Sequence, residues 1–160
     1  ELGHKRVGFI SGPLTFRSSH ERRGGFEDGL AEHGLTLAPE HVAEGAYTFE
    51  SGLEGAAKLL ALPNRPTAIF AGNDEMAAGA LHAARRAGLS VPEDLSVIGF
   101  DDFQIASRVW PPLSTVRAPT REIGRLAAEK LIGQAGDDKR DPADRLPSLV
   151  ARDSTAAPRG

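Results

Sequence analysis

The chain has 160 residues, of which 40% are hydrophobic and 26% are charged, and this composition is typical of a folded domain rather than a disordered or fibrous chain. It contains no cysteine, which excludes disulfides, thiolate metal sites and cysteine nucleophiles, and no apolar run is long enough to cross a bilayer. With 19 basic and 22 acidic residues its net charge is -3, so it lacks the positive field that direct nucleic-acid binding requires.

Short apolar runs that predict strands alternate along the chain with longer amphipathic segments that predict helices. We expect strands at residues 7–10, 42–46, 67–71, 95–100, 113–117 and 146–152. We expect helices at residues 19–33, 50–62, 74–87 and 121–134. This alternation favours a doubly wound α/β fold, in which a mostly parallel sheet carries helices on both faces.

Capping residues support the helix boundaries. Ser18 and Glu21 have the spacing of a capping box at the start of the first helix, and Gly34 is a typical C-terminal stop. Asn73 is a good N-cap for the third helix, and two acids follow it where the helix dipole favours negative charge. The strand and helix around Asn73 therefore form the clearest unit of the sequence.

Polar side chains follow the predicted strands at the points where the strands end. Tyr47, Asn73 and Asp101 come after the second, third and fourth strands, and Arg22 lies near the start of the first helix. Ligands of such sheets bind beyond the carboxyl ends of the strands, where we expect these four side chains to meet. An Arg fork, an amide, a carboxylate and an aromatic ring suit a polyhydroxylated or heterocyclic ligand, because they combine paired hydrogen bonds with a stacking surface.

Each of these residues also has a purely structural interpretation. Asn73 suits a helix cap, Asp101 can cap the turn that follows it, and Arg22 can pair with a neighbouring glutamate on an exposed face. Tyr47 can belong to the core. Only the convergence of the four residues on one edge of the sheet favours a binding site over these alternatives.

Five segments resemble the C-terminal subdomain of the LacI/GalR family of transcriptional regulators, in the right order and covering almost the whole chain. The strongest similarities are residues 71–80, AGNDEMAAGA, and residues 91–102, VPEDLSVIGFDD. The others are residues 3–13, GHKRVGFISGP, residues 21–26, ERRGGF, and residues 111–116, PPLSTV.

The resemblance implies that a small effector is held between two periplasmic-binding-protein-like subdomains. In that arrangement Arg22 binds effector hydroxyls or a carboxylate, and Asp101 accepts hydrogen bonds from the ligand on the other side. Asn73 adds an amide contact and Tyr47 an aromatic wall. Thr120 matches a position where some members place an aromatic ring, which implies a thinner wall here.

Two further acids, Asp74 and Asp102, directly follow the implied ligand residues. We expect them to hold loops rather than to touch the ligand.

The resemblance also implies a homodimer surface, formed by the third helix and by the segment after the Asp-Asp pair. The matching residues here are Met76, Ala80, Leu81, Ile105 and Arg108. For Met76 and Leu81, packing against the sheet is an equally good interpretation of their helical spacing.

The resemblance divides the chain into three parts. Residues 1–112 correspond to the C-terminal effector-binding subdomain, and residues 113–145 to a strand, helix and loop of an N-terminal subdomain that is otherwise missing. Residues 146–160 correspond to the returning strand and a tail. The apolar stripe of the helix at 121–134 then lacks its partners, and we expect it to dock on a neighbouring chain, to fold back or to be mobile.

The function that the resemblance implies is effector sensing in a bacterial repressor, with a sugar-like or nucleoside-like ligand and with operator DNA bound only through a missing helix-turn-helix head. The chain then needs no cofactor or metal and makes no contact with a membrane. The few residues before the first strand are too short for a signal peptide, so we expect a cytoplasmic protein. A mature periplasmic sugar-binding protein of a transport system would look the same in that respect and remains the alternative.

An enzyme on the same type of sheet, with Asp101 and either His82 or His20 as acid and base, is a second alternative, since fold alone does not fix function. The sequence lacks a Gly-rich phosphate loop, a His pair with metal-ligand spacing and a nucleophile elbow. We therefore expect a protein without catalytic activity.

Overall fold

A computed structural model describes residues 2–133 and 146–159. Its sheet has six strands in the order β2-β1-β3-β4-β5-β6. Neighbouring strands from β1 to β5 run parallel, and β6 is antiparallel to β5. The strands are β1 (Val7–Ser11), β2 (Val42–Glu44), β3 (Ala68–Ala71), β4 (Ser96–Phe100), β5 (Ser114–Arg117) and β6 (Ser148–Val150), and the helices are α1 (Arg17–Ala31), α2 (Phe49–Leu60), α3 (Asp74–Arg86) and α4 (Thr120–Leu131).

Helices cover both faces of the sheet, as the alternation of strands and helices predicts. Side chains alternate between the two faces along β1, so Phe9 and Ile10 point in opposite directions. Phe9 lies 5.4 Å from the ring of Phe26 on α1, whereas Ile10 belongs to the buried core beneath α2 and α3. The doubly wound α/β fold is therefore confirmed.

Two glycines allow α2 and α3 to pack closely against each other. A Cβ atom on Gly52 would overlap the backbone of Met76, and one on Gly79 would overlap the backbone oxygen of Phe49. Because both positions have no side chain, the two helix backbones approach directly and present one continuous apolar layer to the sheet.

The predicted capping box of α1 is wrong. The helix begins two residues earlier than expected, with Phe16 as its N-cap and no side-chain cap, so Ser18 lies exposed inside the first turn. The capping box of this fold belongs to α2, where the Ser51 backbone N–H donates to Thr48 Oγ1 at 3.2 Å and the Thr48 backbone N–H donates to Ser51 Oγ at 3.3 Å. Gly34 has a φ of 70° and ends the first helical segment as predicted.

Three of the five residues predicted for a dimer surface are buried inside the chain. Met76 and Ala80 have no exposed surface, and Leu81 is 7% exposed. Their side chains pack in the core, so they cannot contact a second subunit in this arrangement, and the interpretation as sheet packing is correct. Helical spacing identifies an apolar face but not what covers it. Ile105 is half-buried and Arg108 is exposed, so both stay available to a partner.

The segment at 113–117 does not leave the sheet. β5 pairs in parallel with β4, through Thr115 opposite Gly99, and in antiparallel with β6, through Thr115 opposite Val150. The boundary predicted at residue 113 is therefore wrong for this strand, because its backbone hydrogen bonds are made inside the sheet. The chain departs only after Arg117.

The helix that follows, α4, has no buried residue. Its apolar residues are largely exposed, with Ile123 at 57% and Leu131 at 87%. The assignment of this helix to a second subdomain stays a prediction, and the loop predicted beyond it, residues 135–144, lies outside the described residues. No helix in the described ranges is long and apolar enough to span a membrane.

The predicted tail begins as an ordered segment on the sheet. Ser154 is fully buried, and its backbone oxygen accepts from the Val97 N–H at 2.8 Å while its hydroxyl donates to the Val97 oxygen at 2.6 Å. At the amino edge of the sheet, His4 Nε2 lies 2.9 Å from the Ala156 oxygen. Polar side chains thus join the two ends of the described chain to β4.

Candidate functional site

Arg22 projects from α1 across the carboxyl edge of the sheet. Its guanidinium donates a hydrogen bond to the backbone oxygen of Gly72, directly after β3. The same group lies 3.8 Å from the centre of the Phe100 ring, at the end of β4. A cation above an aromatic face is attracted by the ring quadrupole. The ends of β3 and β4 therefore hold the Arg22 guanidinium in one orientation, and its remaining N–H groups can donate to a ligand. Arg22 is not the exposed partner of a neighbouring glutamate.

Asp101 follows Phe100 at the same edge. Its φ of 108° is unusual for a residue with a side chain, and its backbone N–H donates to the Val116 oxygen at 2.9 Å. Burial raises the pKa of its carboxyl, and the nearby charge of Arg22 acts in the opposite direction. Among the described residues, none gives this carboxylate a hydrogen bond or an ion pair. It is thus a partly desolvated acceptor facing Arg22.

Both the oxygen and the nitrogen of the Asn73 side-chain amide form hydrogen bonds within the protein. Its Oδ1 accepts from the Met76 backbone N–H at 2.9 Å, which caps α3, and its Nδ2 donates to the Tyr47 backbone oxygen at 3.1 Å. The residue is 7% exposed. The interpretation as a helix cap is therefore confirmed, and only the second amide hydrogen remains for a ligand.

Tyr47 places its aromatic ring at this edge, and its hydroxyl already has a hydrogen-bond partner. The hydroxyl lies 2.8 Å from Ser19 Oγ on α1, and the half-buried ring packs against the core. A Cβ atom on Gly12 would overlap this ring, so glycine at that position lets the aromatic face sit directly over the end of β1. The ring of Phe16 lies 6.2 Å away.

Asp74 holds the loop after β4, as predicted. It is fully buried, and it accepts from Thr115 Oγ1 at 2.5 Å and from the Phe103 backbone N–H at 2.7 Å. Burial raises the pKa of its carboxyl, while these two hydrogen bonds lower it. The two bonds join α3, β5 and the residues that follow Asp101.

Asp102 also holds its surroundings, through two arginines. It binds Arg117 and Arg152, each at 2.6 Å. Burial acts to raise the pKa of this carboxyl, but the hydrogen bonds from Arg152 and Arg117 outweigh it and the pKa is lowered. Both acids hold their surroundings, as expected. That neither of them touches the ligand stays a prediction.

A cavity of about 940 Å³ opens beside Asp101, between the ends of β4 and β5 and the start of α4. Asp101 is the one predicted ligand residue in its lining, and Thr120 and Phe103 also contribute. Arg22, Asn73 and Tyr47 lie on the other side of Asp101, over the ends of β1 and β3. The four predicted residues therefore share one edge without enclosing a single closed pocket.

Phe100 and Ser19 were not among the residues predicted from the sequence. Phe100 supports the Arg22 fork, and Ser19 orients the Tyr47 hydroxyl. Phe100 directly precedes Asp101, so a search for the last residue of each strand, rather than the first residue after it, would find it. No local signal identifies Ser19, because its partner is 28 positions away in the sequence.

Comparison with known proteins assigns this chain to a family. Residues 1–155 match the model of the periplasmic binding protein-like domain. The HTH-type transcriptional repressor CytR of Escherichia coli K12 is 43% identical over 159 residues, which is 98% of this chain and 47% of that protein. A sugar-binding transcriptional regulator of the LacI family from E. coli, solved with phosphate, has a TM-score of 0.87 at 38% identity over 98% of this chain and 57% of its own.

The lac repressor dimer bound to operator and the anti-inducer ONPF has a TM-score of 0.85 at 32% identity, over 98% of this chain and 54% of its own. The chain belongs to the periplasmic binding protein-like domain family, in the form found in LacI-type transcriptional regulators, and the predicted family is confirmed. It spans about half the length of the curated relatives it matches. These relatives are transcriptional regulators, two of them repressors, which favours the sensing interpretation over the transport protein.

Proposed function

We propose that this chain is the effector-sensing region of a cytoplasmic LacI-type repressor, and that its effector is a sugar, a sugar derivative or a nucleoside. The observation that carries the proposal is that the Arg22 guanidinium and the Asp101 carboxylate face each other at the carboxyl edge of the sheet. Arg22 supplies oriented N–H donors, and Asp101 supplies a carboxylate acceptor that has no partner among the described residues. A ligand with adjacent hydroxyls or ring nitrogens satisfies both.

The partial burial of Asp101 makes it suited to this role. A carboxylate removed from water without a compensating hydrogen bond raises the free energy of the unliganded protein. A ligand hydroxyl or N–H that donates to Asp101 recovers this cost. Hydrogen bonds to a charged group are also stronger than those between neutral groups, so Asp101 contributes both affinity and orientation.

Binding at this edge would regulate DNA affinity without chemical change. A ligand shifts an equilibrium between two arrangements only by its difference in affinity for them. We infer that operator contacts come from a helix-turn-helix head outside these 160 residues, in a homodimer, and that a second subdomain closes the pocket over Arg22 and Asp101. The relatives' names as repressors support this, and no described feature favours turnover of a substrate.

The experiment is a thermal-shift screen of the full-length protein with D-ribose, cellobiose, D-glucose 6-phosphate, adenosine and cytidine. A ligand at 100 times its Kd stabilises the folded state by about 2.7 kcal/mol, which is a readily measured rise in Tm. We expect at least one probe to raise Tm, and Arg22→Ala and Asp101→Asn each to abolish the rise. Arg86→Ala and Asp153→Asn, which change exposed residues, are the matched controls.

If both site variants keep the full shift, Arg22 and Asp101 are not ligand residues and the proposed site is wrong. If operator binding of the full-length protein does not change with a probe that raises Tm, the sensing role is wrong although the binding site stands.

A further inference from the structure

One carboxylate binds an arginine at the end of β5 and a second arginine just after the end of β6. Asp102 Oδ2 accepts from Arg117 Nε at 2.7 Å, and Arg117 is the last residue of β5 before α4. Asp102 Oδ1 accepts from an Arg152 terminal nitrogen at 2.6 Å, and Arg152 lies two residues after β6. We call Asp102, Arg117 and Arg152 the crossing cluster.

The crossing cluster is attached directly to Asp101. Asp101 and Asp102 have successive positive φ values of 108° and 56°, a conformation that residues with side chains adopt only when their surroundings hold it. The holding contacts on either side are the Asp101 N–H to the Val116 oxygen at 2.9 Å and the Phe103 N–H to Asp74 at 2.7 Å. The peptide unit that joins the two acids lies between these contacts, so a change in the backbone at Asp101 also displaces Asp102.

The two arginines of the cluster are held differently. Arg152 is 20% exposed, and it also donates to the Leu113 oxygen at 2.7 Å. Arg117 is 59% exposed, and its side chain has no other hydrogen-bond partner among residues 2–133 and 146–159. Arg152 is thus the more buried of the two arginines and donates to two separate acceptors. We expect the Arg117 contact to be the one that adjusts when Asp102 moves.

We propose that Asp102 is a positioning residue of the effector site, and that it couples the state of Asp101 to Arg117 at the departure of the chain toward α4. The inference rests on the proposed function, because the coupling has a regulatory role only if an effector binds Asp101. Binding would then change the position of Arg117 and of α4, which follows it. The coupling itself is a property of the unliganded chain. The coupling predicts what a merely structural role does not, namely that a change at the Asp101 side chain alters Arg117 only while the Asp102 carboxylate is present.

The test is a double-mutant cycle on the whole 160-residue chain, without ligand, read from the Nε–H peaks of arginine in proton–nitrogen NMR spectra. Asp101→Asn is made in the unmodified background and in the Asp102→Asn background. We expect Asp101→Asn to shift the Arg117 peak in the first background, and we expect this shift to be lost in the second. Asp153→Asn in place of Asp102→Asn should preserve the shift, because Asp153 is an exposed acid beside the cluster.

An equal shift of the Arg117 peak in both backgrounds, or no shift in the unmodified background, would overturn the proposal. If Asp102→Asn does not fold, Arg117→Gln provides the second measurement. We expect faster hydrogen exchange at the Asp101 backbone N–H in Arg117→Gln than in the exposed control Arg86→Gln, and equal rates would also overturn the proposal. Because neither measurement uses a ligand, failure here is distinct from failure of the thermal-shift screen.

Discussion

The guanidinium of Arg22 lies 3.8 Å above the ring of Phe100. This cation–π contact joins α1 to the last residue of β4. Neither residue alone fixes a ligand donor. Together they place the Arg22 guanidinium next to Asp101.

Replacement of Phe100 by leucine should weaken effector binding while Arg22 itself is unchanged. A cation–π contact of this kind stabilises by about 1 kcal/mol, so we expect the Kd for any probe that binds to rise about fivefold. Isothermal titration calorimetry measures this. Phe49→Leu is the matched control, because Phe49 packs edge-on against His82 at the start of α2 and should leave the Kd unaltered. An unchanged Kd in Phe100→Leu would show that Arg22 needs no aromatic support.

Replacement of Asp101 by asparagine should raise the stability of the unliganded chain at neutral pH. The pKa of Asp101 is raised by burial, so its contribution to stability is present at low pH and is lost as pH rises through the folded-state pKa. Asparagine has no such loss and tolerates a positive φ comparatively well. The difference in unfolding free energy between the two proteins should therefore be largest near pH 7 and shrink on acidification.

Urea titrations at several pH values between 4 and 7 measure this difference. Asp153→Asn, at an exposed acid, should show no comparable trend. A constant difference across the range would mean that the carboxyl of Asp101 is not desolvated in solution. A residue that lowers stability but is needed for binding is typical of a functional site.

Two glycine-to-alanine replacements should act in opposite directions. Gly25 lies exposed inside α1 with nothing near the position of an added Cβ, and alanine there should stabilise the chain by about 1 kcal/mol. Gly99 lies in β4 against the carboxylate of Asp74, and alanine there should destabilise it by about 2 kcal/mol through overpacking. Urea unfolding measures both changes. Destabilisation by Gly25→Ala would contradict the open surroundings of that position.

Trp110 should be a central contact of the proposed homodimer. Its side chain is 88% exposed and lies in the same segment as Ile105 and Arg108, the two predicted dimer residues that the fold leaves available. Exposed tryptophans that become buried in an interface commonly contribute about 2 kcal/mol, so Trp110→Ser should raise the dimer Kd of the full-length protein about 30-fold. Sedimentation velocity measures it. Trp110→Phe should retain most of the affinity, and an unaltered dimer in Trp110→Ser would place the interface elsewhere.

The locally determined features could be predicted from the sequence. The strand and helix alternation, the Asn73 cap and the Gly34 stop follow from side-chain periodicity and backbone preferences over a few residues. The meeting of Arg22 and Asp101 at one edge could also be predicted, because the carboxyl ends of parallel strands lie together and the first helix begins beside them. The failed capping box at Ser18 shows the limit of this reasoning, since the spacing was present but the helix began earlier.

Only the tertiary structure decided which faces are covered and which polar groups have partners. Met76 and Leu81 carry the same helical spacing whether a sheet or a second subunit covers them, and packing against the core settled the choice. Asp74, Asp101 and Asp102 are chemically identical in the sequence. Their contacts give Asp74 and Asp102 structural partners and leave Asp101 without one among the described residues, because the atoms that satisfy a carboxylate come from strands distant along the chain.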